Sequence, residues 1–209
     1  MSEVHEIEHP LIASKLTRMR DERTPTGEFR SLLRQITMLM AFEATRDLPT
    51  EVVTVKTPVA TAEKPALSCE PITLAPILRA GAGMVDGMLE VIPDASVGYI
   101  GMYRDEESLQ PVEYLCKLPS DISASPVIVL DPMLATGGSA IDAVSTLKAH
   151  GATDLRMMNL VAAPAGIAAF QAAHPDVDIY VAAVDEGLNE RAYIVPGLGD
   201  AGDRIFGTD

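Results

Sequence analysis

The sequence predicts an α/β protein with a mainly parallel sheet flanked by helices. Two observations support this prediction. Apolar runs of strand length alternate with helical segments from residue 71 to residue 186, and a chain of 209 residues with 47% apolar residues can bury a sizeable core. Charged residues follow three of these runs, at Arg79, Arg104 and Asp131. Because ligands bind at the carboxyl ends of parallel strands, these charges indicate where the site lies.

The first third of the chain predicts an N-terminal helical arm over residues 1–50. Residues 1–27 are polar and end in the turn-rich RTPTGE, and apolar residues then recur at helical spacing from 29 to 48. Residues 51–59 alternate as a strand does, and Pro58 and Pro65 are expected to bracket a loop. The length therefore fits one large domain, or one domain with an added arm.

The remaining chain predicts alternating strands and helices. Gly151 stands where a glycine commonly ends a helix. Residues 193–207 contain too many apolar side chains for a free tail, so we expect them to pack against the body. The predicted strands lie at 71–78, 96–103, 112–118, 126–132, 154–163 and 178–186, and the predicted helices at 83–93, 137–152 and 165–175.

The acidic composition limits the classes of partner. The formal net charge is −14, from 30 acidic and 16 basic side chains, so the surface repels phosphate backbones and argues against a nucleic-acid binder. The first ten residues lack the apolar core of a signal peptide, and no apolar run is long enough to span a membrane. We therefore expect a cytoplasmic protein that binds any anionic ligand with a few placed arginines and backbone N–H groups.

The stretch VIVLDPMLATGGSA predicts an anion site. The strand Val127–Leu130 ends at Asp131, and Thr136-Gly137-Gly138-Ser139 precedes a helix. N–H groups and hydroxyls at a helix N-terminus bind anions, and Asp131 is placed to accept hydrogen bonds from ribose hydroxyls. The alternative is a plain strand–turn–helix in which Ser or Thr caps the helix.

Two arginines at other strand ends suit a polyanion. Arg79 is followed by AGAG, whose small residues permit close backbone approach to a diphosphate. The alternative for Arg79 is a surface arginine at a glycine-rich turn. Arg104 precedes acidic residues, so pairing with Asp105 or Glu106 is the alternative there.

Two glycine patterns do not carry their usual meaning. GLGDAG, at 197–202, matches the dinucleotide fingerprint, but only seven residues follow it, too few for a βαβ unit. DPMLATGGS lacks the lysine and the spacing of a P-loop. The sequence therefore argues against both nucleotide-binding classes.

The VIVLDPMLATGGSA stretch resembles the phosphoribosyl-diphosphate (PRPP) motif of type I phosphoribosyltransferases. Asp131 followed by Pro132, in place of two acids, is typical of the uracil phosphoribosyltransferase family. Four further segments resemble that family in the same order, and Ala82 stands where the family commonly has leucine. These segments are RTPTGEFRSLLRQITMLMAFEATRDLP, PILRAGAGMVDGMLEVIP, GYIGMYRDEESLQPVEYLCKLP and YIVPGLGDAGDRIFGT.

The resemblance implies a single phosphoribosyltransferase domain over 1–209 that converts uracil and PRPP into UMP and diphosphate, with residues 193–209 as the base-binding segment. Mg²⁺ would be carried mainly by PRPP, with no certain protein ligand. Arg79, Arg104, Asp131 and Asp200 would be the catalytic residues. PRPP would contact these four and Pro132, Met133, Leu134, Ala135, Thr136, Gly137, Gly138 and Ser139. Uracil would contact Ile194, Gly199, Asp200 and Ala201.

Several alternatives stay open on the sequence alone. They are transfer to another base, an RNA-binding regulator with the same fold, and a catalytically inactive scaffold. YIVPGLGDAGDR favours uracil, the charge of −14 argues against RNA, and the presence of all four catalytic candidates argues against a scaffold. The family also implies a homodimer or larger homo-oligomer, and GTP activates some of its members.

Overall fold

A computed structural model describes residues 2–104 and 111–208, with only the backbone at 102–104 and 111–113. The strands are β1 (Val4–Glu6), β2 (Thr50–Lys56), β3 (Thr61–Leu67), β4 (Thr73–Leu78), β5 (Ser96–Val97), β6 (Tyr99–Arg104), β7 (Pro111–Lys117), β8 (Val127–Leu130), β9 (Met133–Leu134), β10 (Leu155–Ala162), β11 (Asp178–Val184), β12 (Gly187–Leu188) and β13 (Ile194–Val195). The helices are α1 (Pro10–Arg20), α2 (Thr26–Ala44), α3 (Ala82–Val91), α4 (Gly138–Ala149), α5 (Pro164–Ala173) and α6 (Ala201–Phe206).

The main sheet has the order β1-β11-β10-β8-β4-β6-β7, with β5 beside β4 and β9 beside β10. All of its pairings are parallel except β6 with β7. β2 with β3 and β12 with β13 form separate antiparallel hairpins. The predicted mainly parallel sheet is therefore confirmed.

Strand β8 shows how the two faces of the sheet are covered. Ile128 and Leu130 pack into a cluster with α1, α2, α3 and α6, whereas Val127 and Val129 pack into a second cluster with α4 and α5. Successive side chains of a strand point to opposite faces. Because helices cover both faces, all four residues are apolar and buried.

The alternating elements from 71 to 186 lie where the sequence predicts them, with ends shifted by a few residues. The predicted strand at 96–103 is divided into β5 and β6. Gly151 has a φ of +98°, which explains the glycine after α4. No helix within 2–104 and 111–208 is long and apolar enough to cross a membrane.

The loop predicted between Pro58 and Pro65 is wrong in part, because Pro65 belongs to β3. Pro65 lies opposite Val52 of β2 in a hairpin that joins no other strand among the described residues. Proline cannot donate a ladder hydrogen bond, but a strand with one open side tolerates it.

Both ends of the chain contain elements that the sequence did not indicate. β1 pairs with β11, and α1 buries Ile12, Leu16 and Met19 although its surroundings are polar. The long predicted helix is α2, which ends at Ala44 and not at residue 48. At the other end, Ile194 and Ile205 are buried, which confirms that the C-terminal segment packs against the body.

Candidate active site

Asp131 directly follows β8 at the centre of the sheet. Its carboxylate accepts a 3.3 Å hydrogen bond from the Met133 amide, and its carbonyl accepts one of 2.7 Å from the side chain of buried Asn159. Burial raises the pKa of Asp131 to about 7, and the bond from Met133 opposes this shift. Asp131 is therefore a fixed oxygen acceptor that titrates near neutral pH.

The loop after Asp131 leads directly into α4. β9 pairs with β10, which fixes Met133 and Leu134 beside Val161 and Ala162. Gly137 precedes α4 with a φ of +88°, and no side-chain hydrogen bond caps this helix. The interpretation of Ser or Thr as a capping residue is therefore wrong. Thr136 and Ser139 are instead exposed beside the N-terminus of α4.

Gly166 of α5 lies beneath this loop. A side chain at this position would collide with the carbonyl oxygens of Leu134 and Ala135. The Gly166 carbonyl in turn lies about 3.0 Å from the place where a Cβ of Gly137 would be. The loop is thus seated on the backbone of α5 without intervening side chains.

Arg79 follows β4 and faces the C-terminal helix. Its guanidinium lies 3.3 Å from the Asp203 carboxylate and 3.4 Å from the Thr208 hydroxyl, and its side chain is 59% exposed. Gly81 presses against the Leu130 carbonyl, where no side chain would fit. This contact brings the loop after β4 to the end of β8, next to Asp131. An exposed guanidinium with long polar contacts is available to an anion.

Arg104 is the last residue of β6, at the same carboxyl end of the sheet. Its side chain lies outside the described residues, as do Asp105 and Glu106. The backbone therefore locates Arg104 at this sheet edge, and its pairing alternative stays a prediction.

The C-terminal segment folds over this edge as a series of turns. The Asn189 side chain accepts hydrogen bonds from the amides of Arg191 and Tyr193, at 2.9 and 3.0 Å, and so closes the β12–β13 hairpin. Gly197 and Gly199 have φ of +61° and +78°. The first two glycines of GLGDAG thus form tight turns before α6. The Asp200 carboxylate accepts a 2.9 Å bond from the Asp203 amide and caps that helix.

A cavity of about 400 Å³ lies between the loop that begins at Asp131 and the C-terminal segment. It brings together seven predicted residues from distant parts of the sequence: Asp131, Met133, Ala135, Ile194, Gly199, Asp200 and Ala201. Arg79 and the loop residues from Thr136 to Ser139 lie outside its lining. Pro132 and Leu134 are buried, and their carbonyls accept hydrogen bonds from the amides of β10 and Ala163, so the structure does not place these two predicted PRPP contacts at the cavity. Within the described residues, no group of three or more His, Cys, Asp or Glu could hold a metal ion.

The comparisons with known proteins show the family. The profile described as uracil phosphoribosyltransferase matches residues 6–208. The chain belongs to the uracil phosphoribosyltransferase family. A protein of that name from Clostridium beijerinckii is 62% identical over 208 residues, covering 100% of both chains. Another from Halalkalibacterium halodurans is 59% identical with the same coverage.

Solved structures confirm the type I phosphoribosyltransferase fold. The AQ2163 protein from Aquifex aeolicus has a TM-score of 0.91 and 36% identity over 97% of each chain. A hypoxanthine-guanine phosphoribosyltransferase from Bacillus anthracis has a TM-score of 0.52 and 15% identity. The match covers 77% of this chain and 80% of the Bacillus anthracis chain, and at this identity it shows a shared fold only.

Within this uracil phosphoribosyltransferase family member, sequence reasoning missed part of the cavity wall. The small residues Ala192 and Gly202 carry no chemical signal of their own, and Ala80 was expected only as a small residue beside the diphosphate. Arg191 and Tyr193 have side chains that could contact a ligand. The turn at Asn189 that orients them lies only three residues after the end of the predicted strand at 178–186. The lining residues that were missed are Ala80, Arg191, Ala192, Tyr193 and Gly202.

Proposed function

We propose that the chain is a uracil phosphoribosyltransferase, a pentosyltransferase that converts uracil and PRPP into UMP and diphosphate in pyrimidine salvage. The observation that best supports this proposal is that Asp131, at the end of β8, and the turns of the C-terminal segment line one cavity. The names of full-length relatives at 59% and 62% identity support the same reaction.

The phosphoribosyl half of the site is assigned to the loop after β8. Asp131 accepts hydrogen bonds from the ribose hydroxyls, and the backbone from Thr136 to Ser139 binds the 5′-phosphate at the N-terminus of α4. Arg79 binds the diphosphate, exchanging its contact with Asp203 for two charge-assisted bonds. Arg104 approaches the same group from β6.

The base half is assigned to the C-terminal segment. Backbone N–H and C=O groups of Ile194, Gly199 and Ala201 pair with the carbonyl and imide edge of uracil, while Asp200 also meets PRPP. Cytosine presents an amino group where uracil presents a carbonyl, so one of these fixed backbone groups would be left unpaired. Leaving a buried polar group unpaired is what makes such a site selective.

The chemistry is a displacement at C1 of the ribose. The C1–oxygen bond breaks with its electron pair leaving on diphosphate. The N1 of uracil forms the new bond to C1, and its proton passes to the departing diphosphate or to water. Arginine stabilises the leaving anion, and one cavity holds both reactants in orientation. This route needs no nucleophilic side chain.

We propose that Mg²⁺ enters with PRPP. Asp131 and Asp200 are the only carboxylates among the described residues that line the cavity. Two separate carboxylates do not make a complete shell for a cation that prefers six oxygens, so the phosphate and ribose oxygens supply the remainder. When bound, the ion neutralises charge on the leaving diphosphate.

The wider assignments follow from the family. We propose one phosphoribosyltransferase domain over 1–209, with 193–209 binding the base, in a cytoplasmic homo-oligomer. The exposed valines of the β2–β3 hairpin, Val52 at 71% and Val59 at 94%, are consistent with a surface that another subunit covers. GTP activation is tested by adding GTP to the assay below.

The test is UMP formation from uracil and PRPP with Mg²⁺, with cytosine, hypoxanthine and orotate in parallel. We expect product from uracil alone. Product from a different base would keep the PRPP half and overturn the assignment of the C-terminal segment. Absence of transfer to any base would overturn the enzyme assignment and favour the RNA-binding or scaffold alternatives.

A further inference from the structure

Arg20, at the end of α1, holds the base segment from the far end of the sequence. Its guanidinium donates to both carboxylate oxygens of Asp185, at 2.7 and 2.6 Å, and to the Gly197 carbonyl at 2.6 Å. The Asp185 carboxylate also accepts a 2.8 Å bond from the Gly197 amide. The pair therefore binds both backbone groups of Gly197.

This ion pair is shielded from water. The Asp185 side chain is 6% exposed and that of Arg20 is 23% exposed. A two-pronged guanidinium–carboxylate contact also fixes orientation as well as distance. The amide and the carbonyl of Gly197 belong to different peptide planes, so the pair fixes the planes on both sides of this residue.

Arg204 of α6 fixes the next peptide plane. It donates to the Leu198 carbonyl at 2.9 Å and to the carbonyls of Met19 and Asp21 at 2.5 and 2.7 Å. Its guanidinium lies 4.5 Å from the centre of the Phe29 ring, and burial lowers the pKa of Arg204. The Met19 carbonyl belongs to the last turn of α1, whose carbonyls have no partner within the helix.

The Leu198 carbonyl and the Gly199 amide share one planar peptide group. Whatever direction Arg204 imposes on that carbonyl therefore also sets the direction of the Gly199 N–H. Gly199 lines the cavity, two residues beyond the glycine that Arg20 and Asp185 hold. Three side chains thus fix three consecutive peptide planes that lead into the cavity wall.

We propose that Arg20, Asp185 and Arg204 are positioning residues that set base recognition, and that α1 is part of the uracil-binding apparatus. The inference rests on the proposed function. None of the three lines the cavity, so they act through the backbone of residues 197–199. Loss of any of the three should therefore affect the two substrates differently. It should weaken the use of uracil and leave the use of PRPP unchanged.

The test compares KM for uracil with KM for PRPP in Arg20→Lys, which keeps the charge but loses the guanidinium fork. We expect KM for uracil to rise by about ten- to a hundredfold, the range produced by small misplacements in a site. KM for PRPP should stay within about twofold of the wild-type value, because the substitution does not alter the contacts to that substrate. Arg204→Lys should give the same split.

Two further variants separate positioning from stability. Arg18→Ala is the matched control, because Arg18 lies one half-turn earlier on α1 and pairs with Glu28 at the surface. Arg20→Met with Asp185→Asn leaves no buried charge unpaired, so its melting temperature should lie near that of the wild type. It still lacks the donor to Gly197, so its KM for uracil should remain high.

The outcomes are distinct. A selective rise in KM for uracil in Arg20→Lys and in the double variant, with Arg18→Ala like the wild type, supports the inference. Equal rises in both KM values, or recovery of uracil use in the double variant, would overturn it while the reaction stands. A wild-type protein that forms no UMP would instead overturn the proposed function and this inference with it.

Discussion

The two walls of the cavity are held in different ways. The loop from Asp131 to Ser139, which lines the cavity with Asp131, Met133 and Ala135, is supported by elements close to it in sequence, namely Asn159, β10 and Gly166. The turns around Gly197 are supported by Arg20, from 177 residues away, and by Arg204, which ties them to Met19 and Asp21. The phosphoribosyl wall is therefore built locally, whereas the base wall depends on the meeting of the two chain ends.

This difference has a functional consequence. Support from β10 and α5, the elements that follow α4 in the chain, leaves the phosphate-binding loop in place wherever these neighbouring elements fold together. Long-range support makes base recognition sensitive to residues that touch no ligand. Substitutions under each wall should therefore change the use of one substrate and spare the other.

The largest effect is expected for Arg79→Ala, which removes the proposed diphosphate ligand from the loop after β4. We expect kcat/KM for PRPP to fall by about 10²- to 10³-fold, as when one stabilising donor is lost. The exposed contact to Asp203 contributes little stability, so the melting temperature should barely change. Steady-state kinetics and a thermal melt measure both.

Arg34→Ala is the control for this substitution, since Arg34 is also exposed and paired with a carboxylate, Glu90, away from the cavity. A rise in KM for uracil alone in Arg79→Ala would place Arg79 in the base wall and break the comparison.

A smaller effect is expected for Gly166→Ala, which disturbs the phosphoribosyl wall from below. The added methyl group collides with the Leu134 and Ala135 carbonyls, so the loop must shift. We expect about a tenfold rise in KM for PRPP and a destabilisation of about 1–3 kcal/mol from overpacking. KM for uracil should not change, the reverse of the result for Arg20→Lys.

Gly27→Ala is the matched control, because nothing lies within 4 Å of a Cβ at that position. Equal changes of both KM values in Gly166→Ala would mean that the two walls are not independent.

An effect of similar size is a pH dependence confined to the phosphoribosyl wall. Burial raises the pKa of Asp131 from 3.8 to about 7, and only the ionised carboxylate accepts from two ribose hydroxyls. KM for PRPP should therefore fall as the pH rises from about 6 to about 8, by up to about tenfold per pH unit below the pKa. Dividing KM for PRPP of the wild type by that of Asp131→Asn at each pH cancels the ionisation of PRPP itself. A ratio of the two KM values that stays constant with pH would contradict the prediction.

The same shift predicts the sign of a stability change. A raised pKa means that the folded protein holds the Asp131 proton more tightly than the unfolded chain does. This contribution to stability is complete below about pH 4 and is lost as the pH rises through about 7. Chemical denaturation should therefore show Asp131→Asn gaining stability relative to the wild type between about pH 5 and pH 8.

The sequence predicts the local wall because each of its signals is short-range. Four buried residues before Asp131 indicate a strand covered on both faces, and Thr136 to Ser139 indicate the start of α4. Arg79 and Arg104 are found at the same sheet edge because the ends of parallel strands meet there.

The remote wall could not be predicted in the same way. The buried face of α1 consists of only Ile12, Leu16 and Met19, within a polar stretch. So narrow an apolar stripe does not distinguish a packed helix from an exposed arm by its periodicity. Asp185 and Arg20 are ordinary charged residues until the fold brings them within 2.6 Å of each other. Partners separated by 165 residues leave no pattern in a single sequence.

The most direct test of the two-wall account is hydrogen–deuterium exchange with UMP and with ribose 5-phosphate at saturating concentrations. We predict that ribose 5-phosphate slows exchange in residues 134–139 alone, and that UMP slows exchange in both 134–139 and 194–199. Protection of 194–199 by ribose 5-phosphate without protection of 134–139 would contradict the assignment of the walls.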